Sequence, residues 1–112
     1  MLETRRRELE FYRTQNGRVP FTDWFESLRD QKTRTRIRGR LTRLEVGNFG
    51  DCQSVGGGVF ELRIHFGPGY RVYFSEVRDT LILLLCGGDK SSQQRDIERA
   101  KTYWQDYKET QR

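Results

Sequence analysis

At 112 residues the chain has room for one domain, residues 1–112, because folded domains cluster near about 100–150 residues and a chain of this size buries about two-thirds of its surface without staples. Hydrophobic residues are 34% of the chain and charged residues 33%, and the apolar ones recur periodically, which excludes a disordered protein. The longest apolar run, Leu81 to Cys86, is far too short to span a bilayer. The start MLETRRRELEF carries acids and no apolar stretch after its arginines, unlike a secretory signal, so a cytoplasmic location is expected. Two separated cysteines, Cys52 and Cys86, and one histidine, His65, supply no zinc-site spacing; free thiols and no metal or cofactor are expected. The formal net charge of +5 lies wholly in the first half, where residues 1–50 hold 12 Lys and Arg against 7 Asp and Glu while residues 51–112 hold 9 of each.

Leu9 and Phe11 alternate with Glu8, Glu10 and Tyr12, predicting an edge strand over residues 6–13. After an Asn16-Gly17 turn, Pro20 suits the first position of a helix whose stripe is Phe21, Trp24, Phe25 and Leu28; an aromatic stripe at this spacing is core. Asp30 can cap a second helix with an apolar seam at Ile37, Leu41 and Leu44 and a stop at Gly47. Gly39 weakens that helix by about 1 kcal/mol. Its remaining surface carries Lys32, Arg34, Arg36, Arg38, Arg40 and Arg43 without an acid, which reads as a solvated face, a polyanion footprint or a dock for an acidic protein. Residues 47–58, with five glycines, are expected to be loop; they contain no phosphate-loop motif.

Residues 59–76 predict a hairpin. Phe60, Leu62, Ile64 and Phe66 alternate with Glu61, Arg63 and His65, Gly67-Pro68-Gly69 intervenes, and Tyr70, Val72 and Phe74 alternate with Arg71, Tyr73 and Ser75. With those three residues as the whole loop, Phe66 faces Tyr70, His65 faces Arg71, Ile64 faces Val72 and Arg63 faces Tyr73. One face is then apolar and the other is an open polar surface. Residues 80–86 have no alternation, as in a strand covered on both sides. Gly87 to Lys90 should break it, and Ser91 with Gln94 should cap a last helix with core positions Ile97, Ala100 and Trp104, joined by Tyr103 or Tyr107. The expected class is α+β, a four-stranded, mainly antiparallel sheet in the order β-α-α-β-β-β-α.

Arg63, His65, Arg71 and Tyr73 on one sheet face, with Lys90 past the neighbouring strand, could hold a phosphodiester and stabilise the charge of a five-coordinate phosphorus, with His65 trading a proton. The plain alternative is cross-strand charge pairing on a solvated sheet. The segments GNFGD (47–51), ELRIHFGPGYRVYF (61–74) and LLLCGGDKSSQQRDIERAK (83–101) resemble the phage-derived addiction module killer proteins, HigB-like members of the RelE/ParE toxin superfamily, and the likeness runs over essentially the whole chain. The resemblance implies a RelE-like fold and a toxin that cleaves mRNA on the translating ribosome, restrained by a cognate antitoxin. It implies that Arg71, in Gly69-Tyr70-Arg71, stabilises the transition-state phosphate, helped by Arg63 and Lys90. The tyrosine that a RelE ribonuclease carries near the start of its last helix is missing, Gln93 to Asp96 standing there, so either proton transfer falls to His65, or catalysis is weak, or Tyr103 or Tyr107 substitutes. Rival readings are a ParE-like inhibitor that blocks DNA gyrase by binding and a subunit acting mainly as co-repressor with its antitoxin. The basic helix, Lys32 to Arg43, is expected to hold ribosomal RNA.

Overall fold

The computed structural model describes residues 6–110; the ends of the expected domain, residues 1–5 and 111–112, lie outside the described residues. In chain order it contains β1 (Glu8–Phe11), α1 (Pro20–Ser27), α2 (Gln31–Glu45), β2 (Cys52–Gly56), β3 (Val59–Ile64), β4 (Tyr70–Val77), β5 (Leu81–Asp89), a 3₁₀ turn (Lys90–Ser92) and α3 (Gln93–Thr110). The class is α+β with the expected three helices. The sheet has five strands, not four, in the order β1-β5-β4-β3-β2, and β1 runs parallel to β5 while the other pairs are antiparallel. The added strand, β2, comes from the glycine-rich stretch expected to be loop. Gly47 and Gly50 bend the chain ahead of the strand, and Gly56, Gly57 and Gly58, all with positive φ, turn β2 directly into β3, with which it pairs.

Helices cover both sheet faces. Phe21 of α1 and Ile37, Leu41 and Leu44 of α2 pack on Leu62, Ile64, Val72, Phe74, Ile82 and Leu84. On the other face Ala100 of α3, flanked by Ile97, Tyr103, Trp104 and Tyr107, packs on Val59, Tyr73, Leu83, Leu85 and Cys86. Both stripes fall where the spacing predicted, although Trp24 is half-buried rather than buried. Asp30 caps α2, its carboxylate accepting from Lys32 N–H at 3.4 Å and from Thr33 Oγ1 at 2.9 Å, and Gly47 ends the helix with φ 87°. β5 is an interior strand between β1 and β4, as its continuous apolar run implied.

The β3–β4 register differs from the expected one. Ile64 faces Tyr70, Arg63 faces Arg71, Leu62 faces Val72 and Glu61 faces Tyr73. The connection is residues 65–69, closed by Gly69 N–H donating to Phe66 O at 3.1 Å, so each partner moves by two positions. An even shift conserves the alternation of faces, but it releases His65 and Phe66 from the ladder.

β5 does not break at its glycines. Between the pairs Phe74–Leu84 and Tyr73–Cys86 it holds one extra residue, Leu85, a bulge that rephases the strand. Gly87 then meets α1 and Gly88 meets α3: a Cβ on Gly87 would collide with the Trp24 ring, and one on Gly88 with the Asp96 carboxylate. The strand runs through both because neither face has room for a side chain. Gly87→Ala is expected to cost about 1–3 kcal/mol through overpacking, read as a lowered denaturant midpoint with an unchanged slope; an unchanged midpoint would show that the Trp24 ring yields freely. The expected Ser91–Gln94 capping box is absent. Asp89 caps one turn earlier, accepting from Ser91 N at 2.8 Å and Ser91 Oγ at 2.5 Å, and Gln94 points to Glu98 instead.

Candidate functional site

Side chains of the polar face converge on Glu61. Alternation in β3 and β4 puts Glu61, Arg63, Arg71 and Tyr73 on the side that α3 covers, and the Glu61 side chain is 0% exposed. Its carboxylate accepts from Arg63 Nε at 2.9 Å, Tyr73 Oη at 3.0 Å and Gln93 Nε2 at 2.8 Å. Arg71 Nε stands 3.6 Å from the same carboxylate, an ion pair too long for a hydrogen bond. Burial pushes the Glu61 carboxyl upward, but donors from Arg63, Gln93 and Tyr73 and the Arg71 charge outweigh it and hold it below the usual glutamate range. The cluster also resolves a conflict in the ladder, where Arg63 and Arg71 lie directly opposite and would repel without an anion between them.

Arg71 is the unsatisfied member. Its side chain is 11% exposed, and its Nε and Nη1 are buried without a hydrogen-bond partner. Lys90, in the 3₁₀ turn after β5, is exposed; its N–H donates to Gly69 O at 2.9 Å, which places it beside the start of β4.

Two residues depart from the open surface expected here. Tyr73 is fully buried beneath α3, and burial with the neighbouring Glu61 charge drives its hydroxyl far above the ordinary tyrosine value. The open polar face was an expectation from the hairpin alone; the apolar stripe of α3 needs a surface to cover, and this is the one it takes. His65, outside the ladder, is 72% exposed and pairs through Nε2 with Asp51 at 2.5 Å. It lines a pocket of about 310 Å³ with Arg36, Arg40 and Arg43 of α2, so it does not sit between Arg63 and Arg71. Tyr103 and Tyr107 also stay in the second core, Tyr103 stacked on Tyr12 at 4.9 Å. Asp96, which lies in the 83–101 segment but has no role in the sequence reading, is buried at the start of α3 and accepts from Ser92 Oγ at 2.5 Å.

The basic helix divides. Arg40 turns inward, donating to Arg63 O at 2.5 Å and to Phe49 O at 3.1 Å, and burial followed by the nearby Arg43 lowers its pKa. It ties α2 to β3 and is not a free cation. Lys32, Arg34, Arg36, Arg38 and Arg43 make no ion pair with a carboxylate among the described residues; Arg36 lies over Phe66 at 4.5 Å and Arg38 over Phe25 at 5.1 Å.

No family model matches the chain. An uncharacterized protein of Haemophilus influenzae is 48% identical over 83 residues, which cover 74% of this chain and 84% of that protein. The chain belongs to the family of that protein. Among the described residues, no group of three or more His, Cys, Asp and Glu side chains could hold a metal ion, and no helix is long and apolar enough to cross a membrane. Cys52 and Cys86 are free thiols; burial pushes Cys52 up to about 11 and Cys86 up to about 12, which keeps both protonated and poorly nucleophilic.

Proposed function

We propose that this chain is the toxin of a toxin–antitoxin pair, a cytoplasmic RNA endonuclease that cuts mRNA on the translating ribosome, and that its domain is a RelE-like variant with a fifth strand. The observation that carries the reading is Arg71. A guanidinium whose Nε and Nη1 are buried and unpartnered is costly unless an anion completes it, and a phosphodiester oxygen matches its planar donors. Arg63 and Lys90 add positive charge beside it, and Glu61 keeps both arginines from splaying. The sequence resemblance to the killer proteins supplies the ribosome, mRNA and antitoxin as partners, with Lys32, Arg34, Arg36, Arg38 and Arg43 as the ribosomal RNA contacts.

In this mechanism the ribose 2′-oxygen attacks phosphorus, the bond to the 5′-oxygen breaks, and Arg71 neutralises the charge that builds on the non-bridging oxygens. The 2′-hydroxyl proton leaves to solvent and the 5′-oxygen takes one up, since the buried Tyr73 and the Asp51-bound His65 are engaged elsewhere. The expected products are a 2′,3′-cyclic phosphate and a 5′-hydroxyl. A second reading, a ParE-like inhibitor that binds without cutting, is favoured by one feature: no free acid–base group is bonded into the Arg63–Arg71 cluster. Pulse labelling after induction without antitoxin separates the two. Protein synthesis stopping first, with end-group analysis showing 5′-hydroxyl fragments, supports cleavage; DNA synthesis failing first, or fragments with 5′-phosphates, overturns it.

A further inference from the structure

On the sheet face away from Arg71, α2 carries a groove of about 550 Å³ lined by Lys32, Arg36, Gly39, Arg43 and Phe66. Its cations have no carboxylate partner among the described residues, so their charge is directed outward. Its aromatic wall is the half-buried Phe66, with the Arg36 guanidinium over the ring at 4.5 Å. Gly39 is the unexplained element. Glycine inside a helix is unfavourable, yet a Cβ at this position would meet no atom within 4 Å, so packing does not demand it. What its missing side chain leaves open is the groove.

We propose that this groove binds single-stranded nucleic acid, one base stacking on the Arg36–Phe66 pair in the space beside Gly39 and the flanking phosphates lying on Lys32, Arg36 and Arg43. The slot beside Gly39, next to an aromatic ring capped by a guanidinium and flanked by further cations, suits a base and its phosphates. An acidic peptide would use the cations but has no need of the slot, and a second copy of this chain, at net charge +5, would be repelled. The proposal rests on the functional reading above for RNA as partner and for Lys32, Arg36 and Arg43 as its contacts, and depends on no residue of the Arg63–Arg71 cluster.

The test is fluorescence anisotropy with a short labelled 2′-O-methyl oligonucleotide, which cannot be cut through its 2′-oxygen. Gly39→Leu and Phe66→Ala should each weaken binding about tenfold with an unchanged salt slope, whereas Arg43→Gln should reduce that slope by about one unit. Gly39→Leu should melt at or above the wild-type temperature, because leucine is the better helix former, which separates lost binding from lost folding. Arg95→Gln, which removes an exposed cation of α3 outside both sites, should bind the probe at full strength. Wild-type affinity in both Gly39→Leu and Phe66→Ala, or equal displacement of the probe by oligoglutamate, overturns the proposal. Loss of binding in Arg71→Ala with retention in Gly39→Leu also overturns it, by moving the contact to the other face, and leaves the cleavage reading standing.

Discussion

Glu61→Ala is expected to strip the protein of a large part of its folding stability. The substitution removes a carboxylate that is 0% exposed and bonded to Arg63, Tyr73 and Gln93. It strands the buried Tyr73 hydroxyl and leaves the Arg71 charge with no counter-charge in a largely buried position. Breaking a buried charge cluster by removing one member costs about 3–5 kcal/mol, a large part of the roughly 5–15 kcal/mol that holds a domain together. Glu61→Gln, which conserves shape and one acceptor, should cost less. The pH dependence has a definite sign: the folded-state pKa of Glu61 lies below its unfolded value, so its contribution is complete above the ordinary glutamate range and is lost as pH falls through the folded value. Denaturant melts of wild type and Glu61→Ala between neutral and acidic pH should therefore converge as pH falls. Parallel curves would show that another carboxylate carries the acid sensitivity.

Arg71→Ala is expected to abolish growth arrest while the protein still folds. Removal of one donor aimed at a developing negative charge lowers catalysis by about 10²–10³. Glu61 retains three donors in this variant, so the stability loss should stay within the ordinary range of about 0.5–3 kcal/mol. Arg71→Lys, with charge but no planar fork, should give partial toxicity. The measurement pairs a growth assay after induction with thermal melts of each variant. A folded, fully toxic Arg71→Ala protein would remove the central residue of the proposed site.

Local chemistry was enough for much of the architecture. The stripe led by Phe21, the Ile37–Leu41–Leu44 seam, the Asp30 cap, the Gly47 stop and the apolar run of β5 each express one short-range rule, and each stands in the fold. The two-residue alternation of β3 and β4 also assigned the faces correctly, because parity survives an even register shift. The partner of each residue did not follow from it, since loop length is set by how the chain closes around Phe66 and Gly69. β2 escaped notice because Cys52 to Gly56 has almost no apolar signal; its strand exists through pairing with β3, a long-range condition that composition does not encode.

The site depended most on tertiary structure. Residue types alone placed charged and aromatic groups on one hairpin face, and Arg63 and Arg71 lie opposite each other on it. Whether that face met water or a helix was a matter of where α3 docks. Its Ala100 stripe covers the face, which turns Glu61 from a surface acid into a buried hub, makes Tyr73 structural and leaves Arg71 with buried donors to satisfy. Docking of α1 and α3 on opposite faces explains the glycine pair in β5, which no turn rule interprets: Trp24 presses on Gly87 and Asp96 on Gly88. Periodicity along a chain reports which residues share a face, while the burial and electrostatics of that face are set by the element that packs on it.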